Sequence, residues 1–361
     1  MQRTRPDGAG IRMEDGDVAS RRGGAGAAWL DLTGALLFAA AILWTAVVGS
    51  ARGGNALPTV LLILSVGFTI AFARMIGAVH RWLVPSVVVA VAAGLAISSR
   101  DLLSGDPLSG PFSYANATGA FFVLVAFAAT MVAVVSRDGA RMVASSAAVL
   151  AGLVPFAIGS MAAAAVLFLI PVGLLGLSGR GGVRIAIAVS AALVGAALLG
   201  TMWIGGTYRP SGASGPVTSL TLEVLTERRA VLWSEAWEII RDDPLTGVGP
   251  GRFQFESTTA RADRDALWAH HGFLQVGAET GVPGLLLLIA FFGWGFARLW
   301  ATTDPDALVA LGATALAALG ILASVDYTLH FPLIPATTAA LLGTASISRP
   351  KDRHDHRRDP A

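Results

Sequence analysis

Hydrophobic residues run along most of this chain in unbroken blocks, and charged residues stand between the blocks. The uncharged intervals are 32–51, 53–73, 82–99, 107–136, 142–179, 185–208, 280–297, 307–325 and 327–348. A helix crossing the hydrocarbon layer needs about 20 apolar residues, with a range of about 17–25, so each block suffices for one crossing. Interval 142–179 is too long for a single helix and carries Gly159-Ser160 near its middle, a turn signal that divides it in two. The predicted fold class is therefore all-α, a polytopic membrane protein of about ten transmembrane helices with one long, outward-facing, partly helical loop between helices 7 and 8. The expected segments are a disordered tail over 1–27, helices 1–7 over 28–204, the loop over 205–281, helices 8–10 over 282–348 and a basic tail over 349–361.

Composition sharpens this picture. Of 361 residues, 54% are apolar and 14% charged, and the mean hydropathy is +0.65, whereas soluble domains run nearer about 25% charged. Seventeen of the charged residues lie between Tyr208 and Gly281. The absence of cysteine excludes disulfides, thiolate catalysis and Cys-ligated metal sites. The net charge of +2 and the near-complete use of arginine over lysine reflect base composition and not nucleic-acid binding. Counted over the termini and short loops, seventeen Lys and Arg residues fall on the side of the N-terminus and only Arg52 and Arg100 on the other. Positive residues are retained in the cytoplasm, so both termini are expected there and the long loop outside. The polar N-terminal residues precede any hydrophobic run and do not form a cleavable signal.

No charged residue falls in the middle of an expected span, as a proton-coupled transporter would require, so the chemistry is sought at the outer face. Three elements of the loop carry candidate chemistry. The first, ERRAVLWSEAWEII from Glu227 to Ile240, has helical periodicity with Leu232, Trp233, Ala236, Trp237 and Ile240 on one side. Arg229, four residues before Trp233, shares that face; it is either a snorkelling cation or a five-donor fork for a lipid-linked phosphate. The second, DDPLTGVGPGRF from Asp242 to Phe253, is glycine-rich but has neither the Lys-Ser/Thr nor the preceding strand of a nucleotide loop, and reads as a structural turn. The third, Ala269 to Ile289, places His270 and His271 just outside a membrane helix. A histidine there is suited to act as a base near neutral pH. If the segment is helical, His271, Gln275 and Glu279 share one stripe and His270 stacks over Leu274; their spacing does not match a metal-ligand set. Asp304-Pro305-Asp306 reads as a helix boundary and Asp263-Arg264-Asp265 as a solvated loop.

Together these elements resemble the O-antigen ligase and O-antigen polymerase family of bacterial membrane proteins. The resemblance rests on Arg229-x-x-x-Trp233, on Pro244-Leu245-Thr246-Gly247-Val248-Gly249-Pro250-Gly251-x-Phe253, and on Ala269-His270-x-x-Phe273-Leu274-Gln275-x-x-x-Glu279-x-Gly281-x-x-Gly284. Gly110 to Thr118, containing Asn116, is similar to the family's Asn-containing segment, and Asp326-Tyr327-x-Leu329-His330-x-Pro332 to its closing outer loop. The resemblance implies metal-independent and cofactor-free transfer of a glycan from an undecaprenyl pyrophosphate carrier to a glycan or lipid acceptor, at the outer face of the bacterial cytoplasmic membrane. It implies His270 as the base and Arg229 as a pyrophosphate contact. Helical geometry taken alone instead favours His271. Asn116, His271, Gln275, Glu279, Arg252 and Arg100 complete the candidate substrate-binding set. Arg229, His270 and Asn116 are expected to gather around one outward cavity at the lipid boundary.

The chain departs from the family where relatives often carry Ser-Arg, since Ser160 is followed here by Met161; Arg100 and Arg252 are the candidate replacements. His271 stands where the family often has Asn. The enzymatic readings are a ligase and a polymerase. The alternatives from other classes are a bicarbonate-type transporter and a non-catalytic component of a polysaccharide-assembly complex. Membrane lipids and other polysaccharide-assembly proteins are the remaining expected partners.

Overall fold

A computed structural model of the chain describes residues 12–104, 108, 110–208, 227–263, 266–303 and 305–347. The described residues are helical, without a strand. In chain order the helices are α1 (Arg12–Arg52), α2 (Leu57–Gly77), α3 (Leu83–Ser98), α4 (Ala115–Val135), α5 (Asp138–Ala157), α6 (Met161–Val166), α7 (Leu169–Leu174), α8 (Arg180–Thr207), α9 (Glu227–Asp242), α10 (Phe253–Glu256), α11 (Thr258–Ala262), α12 (Gly272–Trp300), α13 (Ala307–Ala323) and α14 (Leu333–Ala345). Short 3₁₀ turns follow α7 at Leu175–Ser178 and precede α14 at Thr328–His330.

Among the described residues, seven segments are long and apolar enough to cross a membrane, one of them Met161–Ser178, which joins α6, α7 and the turn after them. Helices α3, α13 and α14 are apolar but shorter, and lie where the third, ninth and tenth crossings are expected. The turn at Gly159 divides the long interval as the sequence predicts, with φ of +73°. The N-terminal expectation differs: α1 begins at Arg12, inside the stretch expected to be disordered. Residues 1–11 and the basic tail 349–361 lie outside the described residues.

Helix α4 is buried on every side from Ala117 to Met131, packed among α3, α5, α13 and α14. Helices α1, α2 and α5 instead present Leu36, Leu43, Leu61, Phe68, Leu150 and Leu153 outward, the surface that lipid covers in a membrane protein. Small residues set the inner spacing. A Cβ on Gly312 of α13 would stand 2.3 Å from the Ala345 Cβ of α14, the close approach that glycine and alanine permit between membrane helices. Two carboxylates, Asp31 and Glu279, lie away from the ends of long helices. Asp31 of α1 accepts hydrogen bonds from Arg74 Nη1 (2.7 Å) and Nη2 (2.9 Å) and from Arg298 Nε (2.8 Å), tying α1, α2 and α12 on the arginine-rich side. Glu279 is buried in α12. Asp306 caps α13 by accepting from Leu308 and Val309 N–H and pairs with Arg81, the boundary role expected of it.

Helix α12 holds the outer segment in place. Its backbone breaks at Gly281, with φ of +72°, and Pro283 has no N–H to give. The carbonyls freed by the break receive other donors: Val248 N reaches Ala278 O (2.9 Å), Gly249 N reaches Glu279 O (3.0 Å) and Trp44 Nε1 reaches Thr280 O (2.8 Å), while Val282 N donates to Pro244 O (2.8 Å). The glycine-rich segment is therefore a clamp around this break. A Cβ on Gly247 would lie 2.3 Å from Ala278 O, so only glycine passes there. Leu232, Trp233, Ala236 and Ile240 of α9 bury against Phe253, Leu274 and Ala278, the face predicted from the periodicity.

Candidate functional site

The buried carboxylate of Asp326, 2% exposed in the turn after α13, is the centre of a cluster of polar side chains. Its Oδ2 accepts from Tyr114 Oη (2.8 Å), Asn116 Nδ2 (2.7 Å) and Arg229 Nη2 (3.1 Å). Its Oδ1 accepts from Tyr327 N (2.7 Å) and faces Nδ1 of His270 at 3.3 Å. The two face each other there without the alignment of a hydrogen bond, and Nδ1 has no other partner. The main-chain carbonyl of Asp326 also accepts from Gly272 N (3.2 Å), fixing the start of α12.

Each residue arrives on a different element. Asn116 is in the first turn of α4, and its Oδ1 accepts from Ser160 Oγ (3.0 Å) at the start of α6. Arg229 comes from the apolar face of α9, as the four-residue offset from Trp233 predicts. His270 stands before α12 with φ of +50°, a conformation rare outside glycine. It is held there by Trp233 Nε1 donating to its carbonyl (3.1 Å) and by Tyr327, whose ring meets the imidazole edge-on at 4.7 Å between centroids. His270 is thus outside the helix, and the expected stacking over Leu274 does not occur.

Electrostatics follow from this packing. Burial alone would raise the Asp326 carboxyl, but the His270 imidazole and the Arg229 guanidinium outweigh it and hold the group below the usual carboxylate range. Burial and then the Asp326 charge raise both tyrosines, Tyr114 strongly and Tyr327 to about 12, so both remain hydroxyl donors. Of the groups beside the carboxylate, Arg229 and His270 are only partly shielded, with side chains 21% and 13% exposed.

His271 has a different place. It is fully buried and is the N-cap of α12, accepting from Leu274 N at Nδ1 (3.2 Å). That bond leaves the proton on Nε2, which lies 2.8 Å from Thr201 Oγ1, whose hydroxyl in turn donates to Ala197 O (2.8 Å). Burial lowers its pKa to about 3. Both ring nitrogens are committed, so the expected stripe of His271, Gln275 and Glu279 is corrected: the helix starts after His271, and only Gln275 and Glu279 share it, joined by Nε2 to Oε1 at 2.6 Å. Gln275 Oε1 accepts from Ala269 N (2.7 Å) and Glu279 Oε1 from Phe253 N (3.5 Å).

Of the candidate replacement cations, Arg252 donates to Arg52 O and Glu256 and lines a cavity. Arg100 is exposed in the turn after α3 and is not among the partners of Asp326. Met161 is 70% exposed beside Ser160.

Two cavities flank the cluster on the α1–α2 side. One, of about 280 Å³, is apolar and lies between α1, α2, α12 and α14. The other, of about 450 Å³, lies against the outer loop. They share Pro58, Thr59, Pro250, Glu279 and His330. Arg229, His270 and Asn116 do gather, but around Asp326; neither of these cavities is lined by them. Sequence reasoning missed Asp326, Tyr114 and Tyr327 as site residues. The signal was the closing-loop motif and the segment before Asn116, noted only for their resemblance.

Comparison with known proteins adds one match: residues 146–289 fit the family model described as O-Antigen ligase. That stretch runs from α5 through Arg229 and His270 into α12. No curated protein matches the chain.

Proposed function

With residues 146–289 carrying an O-antigen ligase domain, we propose that this multi-pass membrane protein transfers a glycan from an undecaprenyl pyrophosphate carrier to an acceptor hydroxyl, at the outer face of the bacterial cytoplasmic membrane. The observation that carries the reading is the convergence of Arg229, His270, Asn116 and Tyr114 on Asp326 from separate parts of the chain. Asp326 acts as a positioning residue. Facing Nδ1 of His270, it favours the tautomer that carries a proton there, which leaves Nε2 free to accept another.

In the proposed step the acceptor hydroxyl gives its proton to His270 Nε2 while its oxygen bonds to the anomeric carbon of the donor. The bond from that carbon to the phosphate oxygen breaks, and the electron pair leaves with the carrier pyrophosphate. Arg229 offsets the charge that grows on the leaving group. Its guanidinium spends one amino group on Asp326, and the remaining donors are available to phosphate oxygens. Proton and charge are handled by separate side chains, and the reaction is proposed as metal-independent.

The test is incubation of the purified full-length protein with undecaprenyl pyrophosphate-linked glycan and candidate acceptors. Transfer by the wild type, and none by His270→Ala at equal membrane insertion, is expected. Retained transfer by the variant overturns the role of His270. A product on an anchor indicates ligation, and a lengthened carrier-linked glycan indicates polymerisation.

A further inference from the structure

The cavity against the outer loop differs in character from the Asp326 cluster. Of its lining groups, His330 aside, only Arg252 and Glu279 bear formal charge, one of each sign. Arg252 is further offset by Glu256 at 3.3 Å. A phosphate ligand calls for an excess of cations or a nest of free N–H groups, and this lining offers no excess of cations. It offers instead the amides of Asn55 and Gln254, the Thr59 hydroxyl, and the rings of Trp268 and Phe255. Amide groups both donate and accept hydrogen bonds, as sugar hydroxyls do, and an indole supplies a flat apolar face for the C–H side of a pyranose. The volume of about 450 Å³ falls within the range of about 300–1,000 Å³ typical of small-molecule sites.

The cavity also stands next to the reacting centre. Trp268 lies 4.1 Å from His330 and 6.3 Å from Tyr327 between ring centroids, and Tyr327 in turn meets His270. One aromatic layer therefore separates the cavity from the proposed base.

We propose that this cavity is a subsite for an uncharged sugar ring, with Trp268 as its platform and Gln254 and Asn55 as specificity-determining contacts. The proposal rests on the glycan-transfer reading and names where that glycan is held. Two sources share the chemistry, the carrier-linked glycan and the acceptor glycan.

The test is saturation-transfer NMR on the full chain in nanodiscs. The probes are the methyl glycosides of glucose, galactose and N-acetylglucosamine, with methyl glucuronide as the charged control. At least one neutral glycoside is expected to bind, and the glucuronide to bind at least about tenfold more weakly, as expected for a charge excluded from a neutral lining. Trp268→Ala is expected to weaken binding about tenfold, and Gln254→Ala, which leaves the stack intact, to change the order of preference among the three. His270→Ala is expected to leave binding unchanged. Absence of any neutral binding in the wild type overturns the subsite, as does binding unaltered in both pocket variants. Displacement by undecaprenyl pyrophosphate-linked N-acetylglucosamine assigns the subsite to the donor, and persistence assigns it to the acceptor. Because binding is read without turnover, transfer without sugar binding sinks the subsite alone, whereas sugar binding with no transfer to any acceptor sinks the glycan-transfer reading.

Discussion

Asp326 and Arg229 lie in one cluster, yet the proposed roles give their substitutions different kinetic signatures. Asp326→Asn keeps the side-chain size but removes the charge that faces His270 and Arg229, and it is expected to lower kcat by about 10²-fold or more, the scale of impaired general base catalysis, with a smaller change in KM. Arg229→Lys keeps the charge and loses the planar fork; it is expected to raise KM for the carrier-linked donor roughly tenfold, the size of one charge-assisted hydrogen bond. Steady-state kinetics with donor and acceptor varied separately distinguishes the two, and equal effects on both parameters count against the division of labour. The place of Arg229 on the apolar face was legible because its helical offset from Trp233 is a local feature, whereas His270 was singled out over His271 only by the resemblance. Asp326 was not legible, since it sits 210 positions from Asn116 and 97 from Arg229, and at the end of an apolar run it reads as a helix boundary. His271 misled helical reasoning for a related reason: its buried partner, Thr201, lies 70 positions away on α8.

At the scale of elements, the α9 helix and the division of 142–179 followed from periodicity and turn residues, and the break in α12 falls at Gly281, where the outer loop was expected to end. What the pattern does not contain is the partner of that break. The glycine-rich segment resembled a phosphate loop in composition, but Val248 and Gly249 spend their N–H groups on α12 carbonyls. Gly281→Ala would bring a Cβ to 2.3 Å from Leu245 O at a φ of +72°, a position strained for any L side chain. It is expected to lower the apparent melting temperature of the detergent-solubilised protein and to loosen the outer segment, which limited proteolysis would reveal as faster cleavage between α9 and α12. An unchanged melting temperature and cleavage pattern would show that the clamp carries little of the fold.

For the whole molecule, a buried neutral histidine links stability to pH. The folded-state pKa of His271 is about 3 against about 6.5 when unfolded, so below pH 6.5 the unfolded chain binds a proton that the folded chain refuses. Stability is therefore full above about pH 6.5 and is lost as the pH falls toward 3, at up to about 1.4 kcal/mol per pH unit. Asp326, depressed when folded, adds a further loss below the ordinary carboxylate range. Melting curves of the wild type and His271→Asn across pH 4–8 check this; the variant should show a shallower acid slope, and parallel slopes would exclude His271 as the cause. Orientation is tested as directly, because the chain has no cysteine and single substitutions label cleanly. Phe255→Cys should react with an impermeant maleimide added outside intact cells and Arg141→Cys only after permeabilisation; the reverse pattern inverts the proposed topology.

The laced break in α12 has a mechanical consequence. With Val248 and Gly249 bound to the carbonyls of Ala278 and Glu279, and Trp44 of α1 to that of Thr280, the piece of that helix before Gly281 is bolted to the glycine-rich segment and to the top of α1, whereas the piece after it is held at Arg298 by Asp31 of α1. Any displacement of the glycine-rich segment would therefore act first on the short piece bearing Gln275 and Glu279, against the hold of Trp44, before it reached the long rod beneath.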